Sequence, residues 1–171
     1  QPVTQYYTAL FFKFFGASAF NLRFASVVLT LVSMVLAFKI VNRLLGRRWA
    51  MAASLLVLIT PIIFIQSHLA LDNLMPVPFA FLWLLFLHLY DKEKKLKHLF
   101  LAGVSLGVNF YSYKAMRGFV PFWIVLTIIY LLYSDILNKK VSRGVIRAVA
   151  IFIFGVLPFF IIIPYLKVTY P

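Results

Sequence analysis

The sequence has 171 residues, of which 64% are hydrophobic, 18% aromatic and 12% charged, and its mean hydropathy is +0.98. Soluble domains carry about 25% charged residues, so this composition excludes a soluble domain and predicts an integral membrane protein. The formal net charge is +13. The basic residues stand in short clusters between apolar runs, a pattern that orients membrane spans and does not indicate nucleic-acid binding. The absence of cysteine excludes disulfide bonds and cysteine metal sites.

The first 23 residues differ in character from the rest. The run TQYYTALFFKFFG is rich in aromatic side chains and ends in Gly16, which favours a helix that lies in the membrane interface. A simple aromatic belt is the alternative. We expect an interfacial helix and loop on the outer face over residues 1–23 and a transmembrane domain over residues 24–171. Because the sequence opens without an initiator methionine and stops after an apolar run, we also expect both ends to be cuts in a longer protein.

Six apolar stretches follow, each close to the roughly 20 residues that cross a bilayer. They lie near 24–45, 49–65, 74–90, 99–113, 119–134 and 148–164. We therefore predict an all-α, polytopic membrane helix bundle of about six transmembrane helices. Gly103 and Gly107 form a GxxxG pattern in the fourth stretch, which predicts a helix-packing face.

Three basic clusters between these stretches hold 12 of the 17 Lys and Arg residues. The clusters are Lys39, Arg43, Arg47 and Arg48; Lys92, Lys94, Lys95 and Lys97; and Lys139, Lys140, Arg143 and Arg147. The positive-inside bias predicts that all three face the cytoplasm of a cell whose inner membrane holds the protein. Residues 1–23, 66–73, 114–118 and 165–171 then face the outside.

The eight prolines all fall in predicted outer loops or in the outer halves of spans. Broken helices at membrane depth occur where they are buried in protein or line a wet cavity, so this pattern predicts a site at the outer rim. Simple punctuation of the span ends is the alternative.

Asp72 is the only acidic residue on the predicted outer face. A carboxylate at this depth is costly and indicates a function or a paired charge. Lys114 and Arg117 lie in the next outer turn, beside Tyr111. Cations neutralise phosphate oxygens, and a carboxylate binds a divalent cation or orients a hydroxyl, so the set suits a phosphate-bearing ligand. The alternative is an ion pair between Asp72 and one of the two cations that only ties two hairpins together.

Three segments together resemble a known family. They are QPVTQYYTALFFKFFGASAFNLRFAS, TPIIFIQSHLALDNLMPVPFAFLWL and GVSLGVNFYSYKAMRGFVPFW. They resemble the membrane region of polyprenyl-phosphate-dependent glycosyltransferases of the GT-C fold, in particular bacterial relatives of protein O-mannosyltransferases and of the lipid A aminoarabinose transferase. The resemblance covers residues 1 to 134.

The resemblance implies a reaction. A hexose or pentose is transferred, with inversion, from a polyprenyl phosphate to a protein, lipid or glycan acceptor on the outer face of the membrane. The general base of the family matches a position that precedes Gln1, so we expect no activity from this segment alone.

The resemblance also implies roles for single residues. Asp72 matches an acidic position that shapes the active site and, in some members, a divalent metal site. Lys114 and Arg117 match the cations near the lipid phosphate, and Arg23 matches an arginine that is either structural or a ligand contact. His68 departs from the family, in which arginine is frequent at that position; a lone histidine in an outer loop is usually an interfacial residue.

Two other classes of protein remain as alternatives. A secondary transporter or flippase also carries outer charges and prolines in its spans, although the inverted repeat typical of transporters is not found in this sequence. A scaffold subunit would use the charged turns only as anchors.

Overall fold

A computed structural model describes residues 2–61, 63–65, 72–137 and 143–169, and the side chains of these residues except 72, 134–137 and 162–169. The described residues are helical and contain no strand. The helices are α1 (Pro2–Phe15), α2 (Ala19–Leu45), α3 (Arg47–Ile59), α4 (Pro76–Glu93), α5 (Leu96–Phe110), α6 (Met116–Leu137) and α7 (Arg143–Thr169), with a 3₁₀ turn at Asp72–Leu74. The predicted all-α membrane helix bundle is confirmed.

Three of the described helices are long and apolar enough to cross a bilayer. These candidate spans are Ala19–Leu45 in α2, Met116–Tyr133 in α6 and Arg143–Ile161 in α7. The shorter α5 is also apolar. Large aromatic and aliphatic side chains cover the outside of the bundle, as expected for a surface that faces lipid.

A polar corner joins α1 to α2. Gly16 has a left-handed backbone conformation with φ +86°, which glycine adopts at little steric cost. This conformation ends α1. The Asn21 side chain donates to the carbonyl oxygens of Phe15 at 2.7 Å and Gly16 at 2.9 Å, and the Ser18 hydroxyl caps α2 by accepting from the Asn21 amide at 3.1 Å. These bonds satisfy groups that both helix ends would leave unpaired.

Pro61 ends a helix, whereas Pro121 does not. Thr60 is extended, with φ −59° and ψ 118°, and follows the last residue of α3. A residue before proline is pushed out of the helical region, so Pro61 accounts for the end of α3. Pro121 lies inside α6. The expectation of a broken helix is wrong there, because a proline close to the helix start removes only one backbone hydrogen bond and α6 continues past it.

The core of the bundle lies around α5. Its residues Leu99, Ala102 and Leu106 are fully buried and pack with Phe152 of α7. A Cβ atom added to Gly103 would come within 2.3 Å of the Phe152 carbonyl oxygen and 3.2 Å of the Gly155 Cα. The backbones of α5 and α7 therefore touch, and the prediction that Gly103 and Gly107 form a packing face is confirmed.

Candidate functional site

The turn between α5 and α6 is held by a buried polar pair. Asn109 is the penultimate residue of α5, Ser112 follows the end of the helix, and both are fully buried. The Ser112 hydroxyl lies 2.7 Å from the Asn109 carbonyl oxygen and 2.8 Å from its Oδ1. The Ser112 amide also donates to the Asn109 carbonyl oxygen at 3.0 Å. Because buried polar groups are costly to leave unpaired, this pair fixes the shape of the turn.

Helix α1 is tied to the same turn. The Thr4 hydroxyl donates to the Ser112 carbonyl oxygen at 3.1 Å. In addition, the Tyr7 hydroxyl donates to the Ala25 carbonyl oxygen of α2 at 2.8 Å. The start of α1, the start of α2 and the α5–α6 turn therefore lie at one end of the bundle, which we call the α1 end.

Two exposed cations lie here, Lys114 in the α5–α6 turn and Arg117 in the first turn of α6. The structure gives neither of them a hydrogen bond or ion pair through its side chain to any residue it describes. Tyr111 precedes them and is only 7% exposed. Burial raises the pKa of the Tyr111 phenol, and the positive charge of Arg117 opposes this rise. Arg117 is thus an available charge beside a buried phenol.

The start of α6 is wound tightly at these cations. The amides of Met116, Arg117 and Gly118 each donate to the carbonyl oxygen three residues earlier, at 3.1, 3.3 and 3.0 Å. Pro121 lacks the N–H that would bind the Arg117 carbonyl oxygen in a regular α-helix. The local backbone therefore holds Lys114 and Arg117 on a short 3₁₀-like turn.

The other predicted site residues lie partly outside the described structure. Asp72 begins the 3₁₀ turn Asp72–Leu74, which contacts α2 and α4, but its side chain is not among those described. His68 lies outside the described residues. Arg23 is exposed on the second turn of α2, at the α1 end. The convergence of Asp72 with Lys114 and Arg117 stays a prediction.

A comparison with protein families decides the class. The family model of dolichyl-phosphate-mannose-protein mannosyltransferases matches residues 1–163. The chain belongs to this family. The suspected relationship to GT-C glycosyltransferases is confirmed, and the chain is a membrane glycosyltransferase of that general type. Membership of the family implies a lipid-linked sugar donor. No curated protein and no solved structure matches the chain.

The family match does not by itself identify a metal site. Among the described residues no group of three His, Asp or Glu side chains is placed to hold a metal ion. The Asp72 side chain is not among those described, so the metal role suggested for it stays a prediction.

The residues that hold the turn were not predicted from the sequence. Thr4, Asn109 and Ser112 do not resemble chemical groups of a transferase site, and none of them was a predicted site residue. The spacing of Asn109 and Ser112 was the one available signal. Two polar residues three apart at the end of an apolar stretch can form a hydrogen bond across the end of a helix. The hydrogen bond from Thr4 to Ser112 joins residues 108 apart in the chain, and no pattern in the sequence predicts it.

Proposed function

We propose that the α1 end of this family member forms the phosphate-binding side of a glycosyltransferase site that faces the outside of the membrane. The donor is a sugar linked to a polyprenyl phosphate. Lys114 and Arg117 bind the phosphate, Arg23, His68 and Tyr111 contribute to substrate binding, and Asp72 positions the acceptor. This proposal rests on Lys114 and Arg117, two exposed cations that have no side-chain partner among the described residues and that lie beside an anchored turn.

The chemistry of the proposed reaction explains the need for cations. The acceptor oxygen or nitrogen forms a bond to the anomeric carbon while the bond from that carbon to the phosphate oxygen breaks. The acceptor proton passes to a general base, which the resemblance assigns to a position that precedes Gln1. Polyprenyl phosphate leaves with an added negative charge, and arginine and lysine stabilise charge that develops on phosphate oxygens.

The anchored turn supports this role because electrostatic stabilisation works best when the charged groups are fixed before reaction. A preorganised donor of this kind contributes about 3 kcal/mol to the transition state in enzymes generally. The bonds of Ser112 to Asn109 and of Thr4 to Ser112 limit movement of the backbone that carries Lys114.

The test uses the full-length protein in membranes, with a polyprenyl-phosphate sugar as donor. We expect Arg117→Ala to lower the rate of sugar transfer about 100-fold and to weaken use of the donor more than use of the acceptor. Arg143→Ala removes an exposed arginine from the start of α7 and is the matched control. Equal losses of donor and acceptor use, or an equal effect of the control, would contradict the phosphate role.

Asp72→Asn provides a second arm of the test. The amide keeps the size of the side chain but removes its charge, so transfer should be lost while expression in the membrane stays normal. Unchanged transfer would reduce Asp72 to a structural residue. Transport of a solute into vesicles of purified protein without any isoprenoid donor would favour the transporter alternative.

A further inference from the structure

Two adjoining spaces lie at the end of the bundle opposite the α1 end. The first is a cavity of about 570 Å³ at the end of α4, the start of α5, the second half of α6 and the start of α7. Its polar lining comes from Tyr90, Asp91, Lys94, Tyr130, Tyr133 and Arg147. The 15 residues of α5 rise roughly 22 Å, so this cavity is far from Lys114 and Arg117.

The second space is an apolar groove of about 390 Å³ between α2, α4 and α6. Leu44 of α2, Leu87 of α4 and Leu126 of α6 line it. Asp91 and Tyr130 line both the groove and the cavity, so the two spaces meet at these residues. A polar cavity joined to an apolar groove matches the two parts of one lipid molecule.

The cavity is lined by two cations, Lys94 and Arg147, and one acid, Asp91, so its charged side chains carry a net positive charge. Asp91 accepts a hydrogen bond from the Tyr130 hydroxyl and lies 3.6 Å from the Lys94 ammonium, so its charge is compensated. Arg147 is exposed, and within the described part of the chain its side chain has no hydrogen bond or ion pair. The guanidinium of arginine binds phosphate oxygens in a bidentate way.

Lys94 stands at an unusual backbone position. It caps the C-terminal end of α4 and has φ +51°, a left-handed conformation that favours glycine over lysine. From this position its ammonium lies 5.3 Å from the centre of the Tyr90 ring, at the cavity. The left-handed backbone therefore places the Lys94 ammonium at the cavity.

We propose that the cavity and the groove together bind one anionic glycerophospholipid from the leaflet opposite the α1 end. The phosphate lies at Arg147 and Lys94, and one acyl chain lies along Leu44, Leu87 and Leu126. Basic pockets between membrane helices recognise anionic headgroups in this way. The hydroxyls of a glycerol headgroup can donate to the Asp91 carboxylate, which makes phosphatidylglycerol the suitable probe. This proposal does not depend on the glycosyltransferase site.

The experiment measures lipid binding to the detergent-purified full-length protein by native mass spectrometry. Phosphatidylglycerol is compared with phosphatidylcholine of the same chains and with free glycerol phosphate. We expect phosphatidylglycerol to bind most tightly, because phosphatidylcholine lacks a net negative charge and glycerol phosphate lacks the acyl chain. Arg147→Ala should weaken the binding of phosphatidylglycerol about fivefold.

Two further variants separate an effect on lipid binding from an effect on folding. Lys94→Gly removes the cation but suits the left-handed backbone, so we expect weaker lipid binding together with unchanged or higher thermal stability. Arg48→Ala removes an exposed arginine near the start of α3 that does not line the cavity and should leave lipid binding unchanged. Equal binding of the two phospholipids, or equal effects of Arg147→Ala and Arg48→Ala, would overturn the proposal. Displacement by glycerol phosphate or by a polyprenyl phosphate at equal concentration would overturn the assignment of a glycerophospholipid.

Discussion

Thr4 and Ser112 are joined by a hydrogen bond of 3.1 Å from the threonine hydroxyl to the serine carbonyl oxygen. The Ser112 hydroxyl is bonded in turn to Asn109 inside the bundle. A chain of hydrogen bonds therefore runs from α1 through the α5–α6 turn to the end of α5. We therefore expect a displacement of α1 to move the backbone that carries Lys114 and Arg117.

The first prediction concerns this tie. Thr4→Val keeps the shape of the side chain and removes the hydroxyl, so it should destabilise the turn by about 1 kcal/mol. Hydrogen exchange of the amides of residues 112–118 should become faster, and transfer activity should fall while expression is retained. Thr8→Val makes the same change one turn later in α1, where the hydroxyl has no hydrogen bond to a described residue, and is the control. Equal exchange rates in the two variants would contradict the role of Thr4.

The second prediction concerns the buried pair. One hydroxyl hydrogen of Ser112 lies near two oxygens of Asn109, while the Asn109 Nδ2 is buried without a hydrogen-bond partner in the described structure. Ser112→Ala should cost about 1–3 kcal/mol, because it leaves Asn109 with a buried unpaired group. Asn109→Leu together with Ser112→Ala should cost less than the sum of the single changes, since both partners then become apolar. Thermal unfolding of the four proteins in one detergent measures this; additive losses would show that the pair is not coupled.

The fold class could be predicted from sequence because it depends on composition and on the length of apolar runs. Long stretches without charges, such as those of α2, α6 and α7, are costly to expose to water and leave a membrane helix as the stable structure. The packing face at Gly103 was also predictable, since small residues four apart lie on one side of a helix. The continuous helix through Pro121 was not, because the sequence does not show that α6 begins at Met116, close enough to the proline that only one backbone hydrogen bond is lost.

The candidate site could be predicted only in part. Lys114 and Arg117 could be predicted as site residues, because they are cations in a predicted outer turn and cations are rare in so apolar a sequence. The anchoring by Thr4 depends on a contact between residues that are distant in sequence. The cavity lined by Lys94 and Arg147 was not predicted, since both residues belong to basic clusters that the positive-inside rule already explains.

The third prediction concerns the contact of α5 with α7. Gly103→Ala would place a Cβ 2.3 Å from the Phe152 carbonyl oxygen, so the helices must separate. We expect a loss of about 1–3 kcal/mol in the free energy of unfolding. Gly118→Ala is the control, because a Cβ there meets no atom within 4 Å and alanine stabilises a helix by about 0.5–1 kcal/mol relative to glycine. Thermal unfolding should therefore move in opposite directions in the two variants, and a stable Gly103→Ala protein would contradict the close packing.

The fourth prediction concerns the pH dependence of stability. Glu93 ends α4, where the helix dipole disfavours a negative charge. Its carboxylate lies 2.8 Å from the Lys95 ammonium and 3.2 Å from His98 Nε2. These hydrogen bonds, first that of Lys95 and then that of His98, lower the pKa of Glu93 from 4.5 to about 2.

The sign of the effect follows from the lowered pKa. The folded protein favours the ionised carboxylate, so Glu93 stabilises the fold fully above pH 4.5, and this contribution is lost as the pH falls toward 2. Glu93→Gln should flatten the dependence of the melting temperature on pH within that interval. Lys95→Gln removes the hydrogen bond that lowers the pKa of Glu93 most, so the loss of stability should begin at a higher pH than in the parent protein. A carbon-detected NMR titration of Glu93 with a midpoint near its ordinary pKa of 4.5 would contradict the prediction.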